Sequence, residues 1–105
     1  MIRIKDRADV RGLQDVMWDM VYDINPFYNE LGHDLTITEG TGGTHSRASL
    51  HYVGLAVDIR TRMLKDKYGM FERIKSVLSS GFDVVFHDTH IHIEYQPKSQ
   101  EERII

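Results

Sequence analysis

The stretch Ser49 to Arg60, SLHYVGLAVDIR, sets His51 seven positions before Asp58, with the small residues Gly54 and Ala56 between them. A second stretch, His87 to Tyr95, reads HDTHIHIEY and packs three histidines and two carboxylates into nine residues. If LAVDIR is a strand, Leu55, Val57 and Ile59 face one way and Ala56, Asp58 and Arg60 the other, because successive strand side chains alternate. The same parity in HIHIEY puts Ile91, Ile93 and Tyr95 on one face and His90, His92 and Glu94 on the other. Asp58 and His92 then stand on the polar faces of two strands, with His51 on the approach to the first, and small residues at 54 and 56 let the backbone pass close by. A lone histidine is ordinarily a solvated or hydrogen-bonded residue. Two imidazoles and a carboxylate that converge instead match a tetrahedral zinc site whose fourth position is left to water. His51, Asp58 and His92 are therefore the expected metal ligands, and Zn2+ the expected cofactor. With no cysteine in the chain, any metal rests on nitrogen and oxygen donors. Non-haem iron takes the same ligand types.

Several elements must position these groups. From Asp9 to Asn25 the apolar residues Val10, Leu13, Met17, Met20, Val21 and Ile24 recur at helical steps, and Pro26 is expected to end that helix. Trp18, beside the stripe, is expected to pack. DLTITEG alternates Leu35 and Ile37 against Thr36 and Thr38, as a strand buried on one face does. KYGMFERIKSVLSSG carries Met70, Phe71, Ile74, Val77 and Leu78 on one helical face, with Gly81 as the glycine after its end. FDVVFHD and HIHIEY follow with only Thr89 between them, as a tight hairpin or one bulged strand. The pattern predicts an α+β fold: a small antiparallel sheet from residues 35–39, 55–60, 83–87 and 90–95, two helices on one face and a zinc cleft on the other. Residues 1–95 are expected to form a single domain and 96–105 a polar tail.

The bulk composition narrows the classes. The 105 residues suit one domain, and 41% apolar with 28% charged residues suits a globular one. Thirteen basic against sixteen acidic residues leave a net charge of −3, which favours neither nucleic acid nor an anionic membrane as partner. No apolar run approaches the ~18 residues that span a bilayer. MIRIKDRADVRG alternates charged and apolar residues and lacks the apolar core of a secretion signal, so synthesis in a cytoplasm is expected.

Ser49 to Asp58, SLHYVGLAVD, resembles the S-x-H-x-x-G-x-A-x-D motif of the zinc D-alanyl-D-alanine peptidases, which include D,D-carboxypeptidases and L-alanyl-D-glutamate endopeptidases. TEG, HSRASLHYVGLAVDI, KYGMFERI, GFDVV and HIH are similar, more closely still, to the hedgehog N-terminal signalling domain, which shares that fold and its zinc site. The resemblance covers residues 35–95 and argues against iron. It implies a hedgehog/DD-peptidase fold with zinc on His51, Asp58 and His92. In the peptidases an acidic residue before the last ligand serves as base. Asp88 takes that place here, one position further from His92 than the peptidase spacing.

By the same resemblance His90 and His45 line the cleft. The peptidases carry an arginine after the first strand; TEGTGGTHS has none, and Arg47 or Arg60 stands as its substitute. Hedgehog domains carry an acid-rich calcium segment there, where this chain has only Glu39 followed by glycines and threonines. The main functional expectation is a zinc peptidase cleaving D-amino-acid peptides of bacterial cell wall. In it a zinc-activated water attacks the scissile carbonyl, Asp88 moves the proton, His90 serves the oxyanion, and Ser49, His45 and Arg47 contact substrate. Such an enzyme is expected to be monomeric and to leave the cytoplasm to reach the wall. The alternative is a zinc-stabilised, hedgehog-like binding domain that catalyses nothing.

Overall fold

Period-2 alternation delivers four strands close to where the sequence predicts them, and a fifth that it does not. The computed structural model describes residues 1–43 and 49–96. In chain order these form β1 (Ile2–Ile4), α1 (Asp15–Asn29), β2 (Leu35–Glu39), β3 (Ala56–Arg60), α2 (Lys67–Val77), β4 (Phe82–Phe86) and β5 (His90–Tyr95). The strands make one sheet in the order β1-β2-β3-β5-β4. The α+β class and the two helices agree with expectation, but the sheet is mixed. β1 runs parallel to β2, pairing Ile2 with Leu35 and Ile4 with Ile37, because α1 returns the chain between them. Three residues of alternation are too short to stand out, and β1 sits at the sheet edge with Arg3 between its isoleucines, a charge that discourages pairing with another chain.

Both helices cover one face. Leu35, Ile37, Val57, Ile59, Val84, Ile91 and Ile93 form a single core with Met17, Met20, Val21, Ile24 and Tyr28 of α1 and Met70, Phe71 and Ile74 of α2, and Trp18 packs against it. Arg73 joins the helices, its guanidinium 2.8 Å from a Glu30 carboxylate oxygen and 4.0 Å above the Phe27 ring. No helix among the described residues is long and apolar enough to cross a membrane.

The helix ends correct the expectations. α1 starts at Asp15, not near Asp9, because Arg11 turns back to bond the Asp9 carboxylate through its main-chain N–H and its guanidinium, and Gly12 adopts φ +80°. It runs on through Pro26. A proline in the last turn forfeits one N–H bond, while Tyr28 beyond it is fully buried and donates its hydroxyl to the Arg60 carbonyl at 3.1 Å. α2 is capped by Asp66, whose carboxylate accepts the Gly69 N–H at 2.8 Å. It ends at Val77, which is 55% exposed and not part of the buried face. Gly81 lies beyond that end and is under the Tyr95 ring, where a Cβ would come within 2.9 Å of Cε1.

β4 and β5 form a hairpin: the His87 N–H bonds the His90 carbonyl at 3.0 Å, leaving Asp88 and Thr89 as the connection. Gln96 is tied to the sheet through its N–H to Gly81, and the rest of the expected tail lies outside the described residues.

The turn after His51 is fixed by Gly54. Its φ is +78°, and a Cβ there would run into the Gly12 carbonyl oxygen. Gln14 clamps the same turn through its N–H to the Gly54 carbonyl at 3.0 Å and its side-chain amide to the Val53 carbonyl at 2.8 Å. Gly32 has nearly the same φ, +79°, with open space around it. In urea denaturation Gly32→Ala should cost only the left-handed strain, ~1–2 kcal/mol. Gly54→Ala should cost clearly more, ~3 kcal/mol; equal losses would show that the Gly12 contact carries no weight.

Candidate metal centre

The β3–β5 ladder places Asp58 directly opposite His92, with both side chains on the face away from the helices. His51 reaches the same point from the turn before β3, where its main-chain N–H is held by the Ser49 hydroxyl at 3.2 Å. Its Nδ1–H donates to the Gly40 carbonyl at 2.7 Å, which turns Nε2 toward Asp58 Oδ1 at 3.4 Å. His92 Nδ1 lies 2.9 Å from the same oxygen, and its Nε2 lies 2.8 Å from a Glu94 carboxylate oxygen. One donor atom from each of His51, Asp58 and His92 falls within 4.8 Å of the others, and the two rings stand 5.0 Å apart. His51 is 3% and Asp58 8% exposed. Each imidazole therefore has one nitrogen aimed at the Asp58 carboxylate and the other anchored to an acceptor. That arrangement fixes the orientation of both rings, and the Gly40 carbonyl also fixes the His51 tautomer with Nε2 toward the site.

Burial alone would raise the Asp58 pKa, but hydrogen bonds from His51 and His92, with the charges of His51 and His90, outweigh it and hold the carboxyl well below the ordinary range. The hydrogen bond to Asp58 pulls the His92 pKa up; burial opposes it and Glu94 reinforces it. His90 goes the other way, lowered first by burial and then by the nearby charges of His87 and His92, against the pull of Asp58.

His90 sits at the edge of the site, Nε2 3.7 Å from Asp58 Oδ2, its ring stacked on His87 at 4.5 Å. Asp88 does not join it. The hairpin turns at Asp88 and Thr89, so strand parity does not carry through, and the Asp88 side chain is 95% exposed with Lys67 Nζ 3.8 Å away. The expected base thus points into solvent, away from Asp58 and His92. Ser49 serves to hold the His51 backbone, and the expected substrate residues His45 and Arg47 lie outside the described residues. Gly54 is glycine because of Gly12, not because of the metal face. Glu94 and Gly40, which anchor the two rings, are the residues the sequence reading misses. Two-residue spacing from His92 on one strand face already signals Glu94.

The model of the hedgehog amino-terminal signalling domain matches residues 29–96, more than half of the chain. The chain belongs to that family. It is 43% identical over 72 residues to the Indian hedgehog protein of Gallus gallus, with 66% of this chain and 17% of that protein covered. It is 42% identical to the Tiggy-winkle hedgehog protein of Danio rerio over the same length and shares. It is 40% identical over 72 residues to the Sonic hedgehog protein of Xenopus laevis, 66% of this chain and 16% of that protein. The match thus spans under a fifth of the length of these relatives.

Membership of a hedgehog signalling family overturns the peptidase expectation and the cell-wall peptide as partner. The cytoplasmic expectation is corrected on the same ground, since the family is one of signalling domains.

In chelated protein, an NMR pH titration should show His92 keeping its proton above the ordinary imidazole value of ~6.5 and His90 losing its proton below it. A raised folded pKa means that the His92 contribution to stability is full below ~6.5 and is lost as pH rises through the raised value. If His92 titrates below His90, the Asp58–His92–Glu94 chain of contacts is misassigned.

Proposed function

We propose that the chain is a non-catalytic, zinc-stabilised binding domain of hedgehog type. The convergence of His51 and Asp58, both buried, with the half-buried His92, each imidazole anchored through its other nitrogen, is the observation that carries this reading. The donor set fits zinc: two imidazole nitrogens and a carboxylate oxygen, the donor types that this ion takes. These residues would hold the ion, and Gly40 and Glu94 would orient the two rings on it. The chemistry zinc supplies here is cohesion. Ligation joins the turn before β3 to the β3–β5 ladder, and its free energy accrues to the folded state alone. Family membership and the outward Asp88 favour binding over hydrolysis, and the face around the metal is the surface that a protein partner would read.

Free zinc at a hundred times its Kd should add ~2.7 kcal/mol to stability, which for a domain of this size raises Tm by ~10–20 °C. His51→Ala, Asp58→Asn and His92→Ala should each melt at one temperature with zinc or chelator. Should the parent show no such difference, or purify with iron in its place, the zinc reading is lost.

Glu94→Gln keeps the side-chain shape and removes the charge anchoring His92. It should weaken zinc by ~10–100-fold, as loss of such an outer partner does, in competition with a fluorescent chelator. The chelated variant should still fold. Unchanged affinity would assign Glu94 no part in orienting the ring.

A further inference from the structure

Beside Asp58 and His90 opens a cleft of about 350 Å³ whose lining includes Lys5, Arg60, Arg62 and Glu39. The three cations come from three places: Lys5 just after β1, Arg60 at the end of β3, and Arg62 in the turn that follows. Elsewhere Arg3, Arg11, Lys67 and Arg73 each lie against a carboxylate, whereas Arg7, Lys65 and Lys75 are exposed and do not line this cleft. Lys5, Arg60 and Arg62 form no ion pair among the described residues, although two carboxylates share their cleft. Arg60 is held from below, its main chain paired with His90 across the ladder and its carbonyl bonded by the Tyr28 hydroxyl. In a chain of net charge −3, three cations gathered on one concavity create a local positive field.

We propose that this cleft is a carboxylate-binding subsite, with Arg60, Arg62 and Lys5 holding the single negative charge of a docked ligand. Arginine presents a planar fork matched to a carboxylate, and lysine adds a point charge. The lining also decides the class of anion. Glu39 and Asp58 line the same cleft, and their negative charge opposes a phosphate dianion more strongly than the single charge of a carboxylate. The subsite goes beyond the zinc reading and does not depend on it, since none of its three cations is a metal ligand.

The test uses the peptide acetyl-Gly-Asp-Gly-amide, its neutral Asn counterpart and inorganic phosphate, each titrated into zinc-loaded and into chelated protein and followed by NMR shifts. The Asp peptide should bind best in both forms, more weakly as salt rises, with the shifts centred on Arg60 and Arg62. Arg60→Gln, and separately Arg62→Gln in its exposed turn, should each weaken it by about tenfold with Tm and zinc content unchanged; Lys5→Gln gives a third reading. Three results overturn the proposal: equal binding of the Asp and Asn peptides, tighter binding of phosphate, or parent-like affinity in the arginine variants. Binding that vanishes on chelation yet survives both arginine changes would place the carboxylate on the metal and also reject it. Binding retained by a protein that takes up no zinc supports this subsite while the zinc reading fails.

Discussion

The site rests on a cross-strand pair. Asp58 and His92 face each other in the central ladder of β3 and β5. A buried carboxylate must find partners or give up its charge; here two imidazoles serve it, and each imidazole needs an acceptor of its own. Gly40 at the end of β2 and Glu94 on β5 supply them. One chain of polar contacts thus runs from the β2 end, through His51, Asp58 and His92, to Glu94 on the same face of β5.

The opposite face of the same two strands holds this pair in register. Val57, Ile59, Ile91 and Ile93 are fully buried beneath the helices. A slip of one residue would drive Asp58 and His92 into the core and the isoleucines into the cleft. The apolar core, which touches no ligand, therefore sets the geometry of the polar face.

This division explains what the sequence makes legible. Parity within β3 and β5 is a property of the strand itself, so the shared face of Asp58, His90, His92 and Glu94 can be read from spacing, as can the buried face Met70, Phe71 and Ile74 of α2. Features set by distant partners cannot. β1 becomes a strand only because β2 lies beside it, α1 passes Pro26 because Tyr28 finds a pocket and the Arg60 carbonyl, and Gly54 answers to Gly12. Asp88 shows where parity fails, since a chain reversal intervenes between it and His92. Function was the least legible, because two imidazoles and a carboxylate serve cohesion and hydrolysis equally well, and a shared fold does not choose between them.

The pairing of Asp58 with His92 also has a kinetic side. The two residues are 34 positions apart, with α2 and the β4–β5 hairpin between them or adjoining them. The hairpin and α2 can form from near neighbours, whereas the Asp58–His92 contact must wait for a long loop to close. The central ladder is therefore where the loop-closure cost of the polar site falls: the three ligand side chains are brought together by the same closure that completes the sheet.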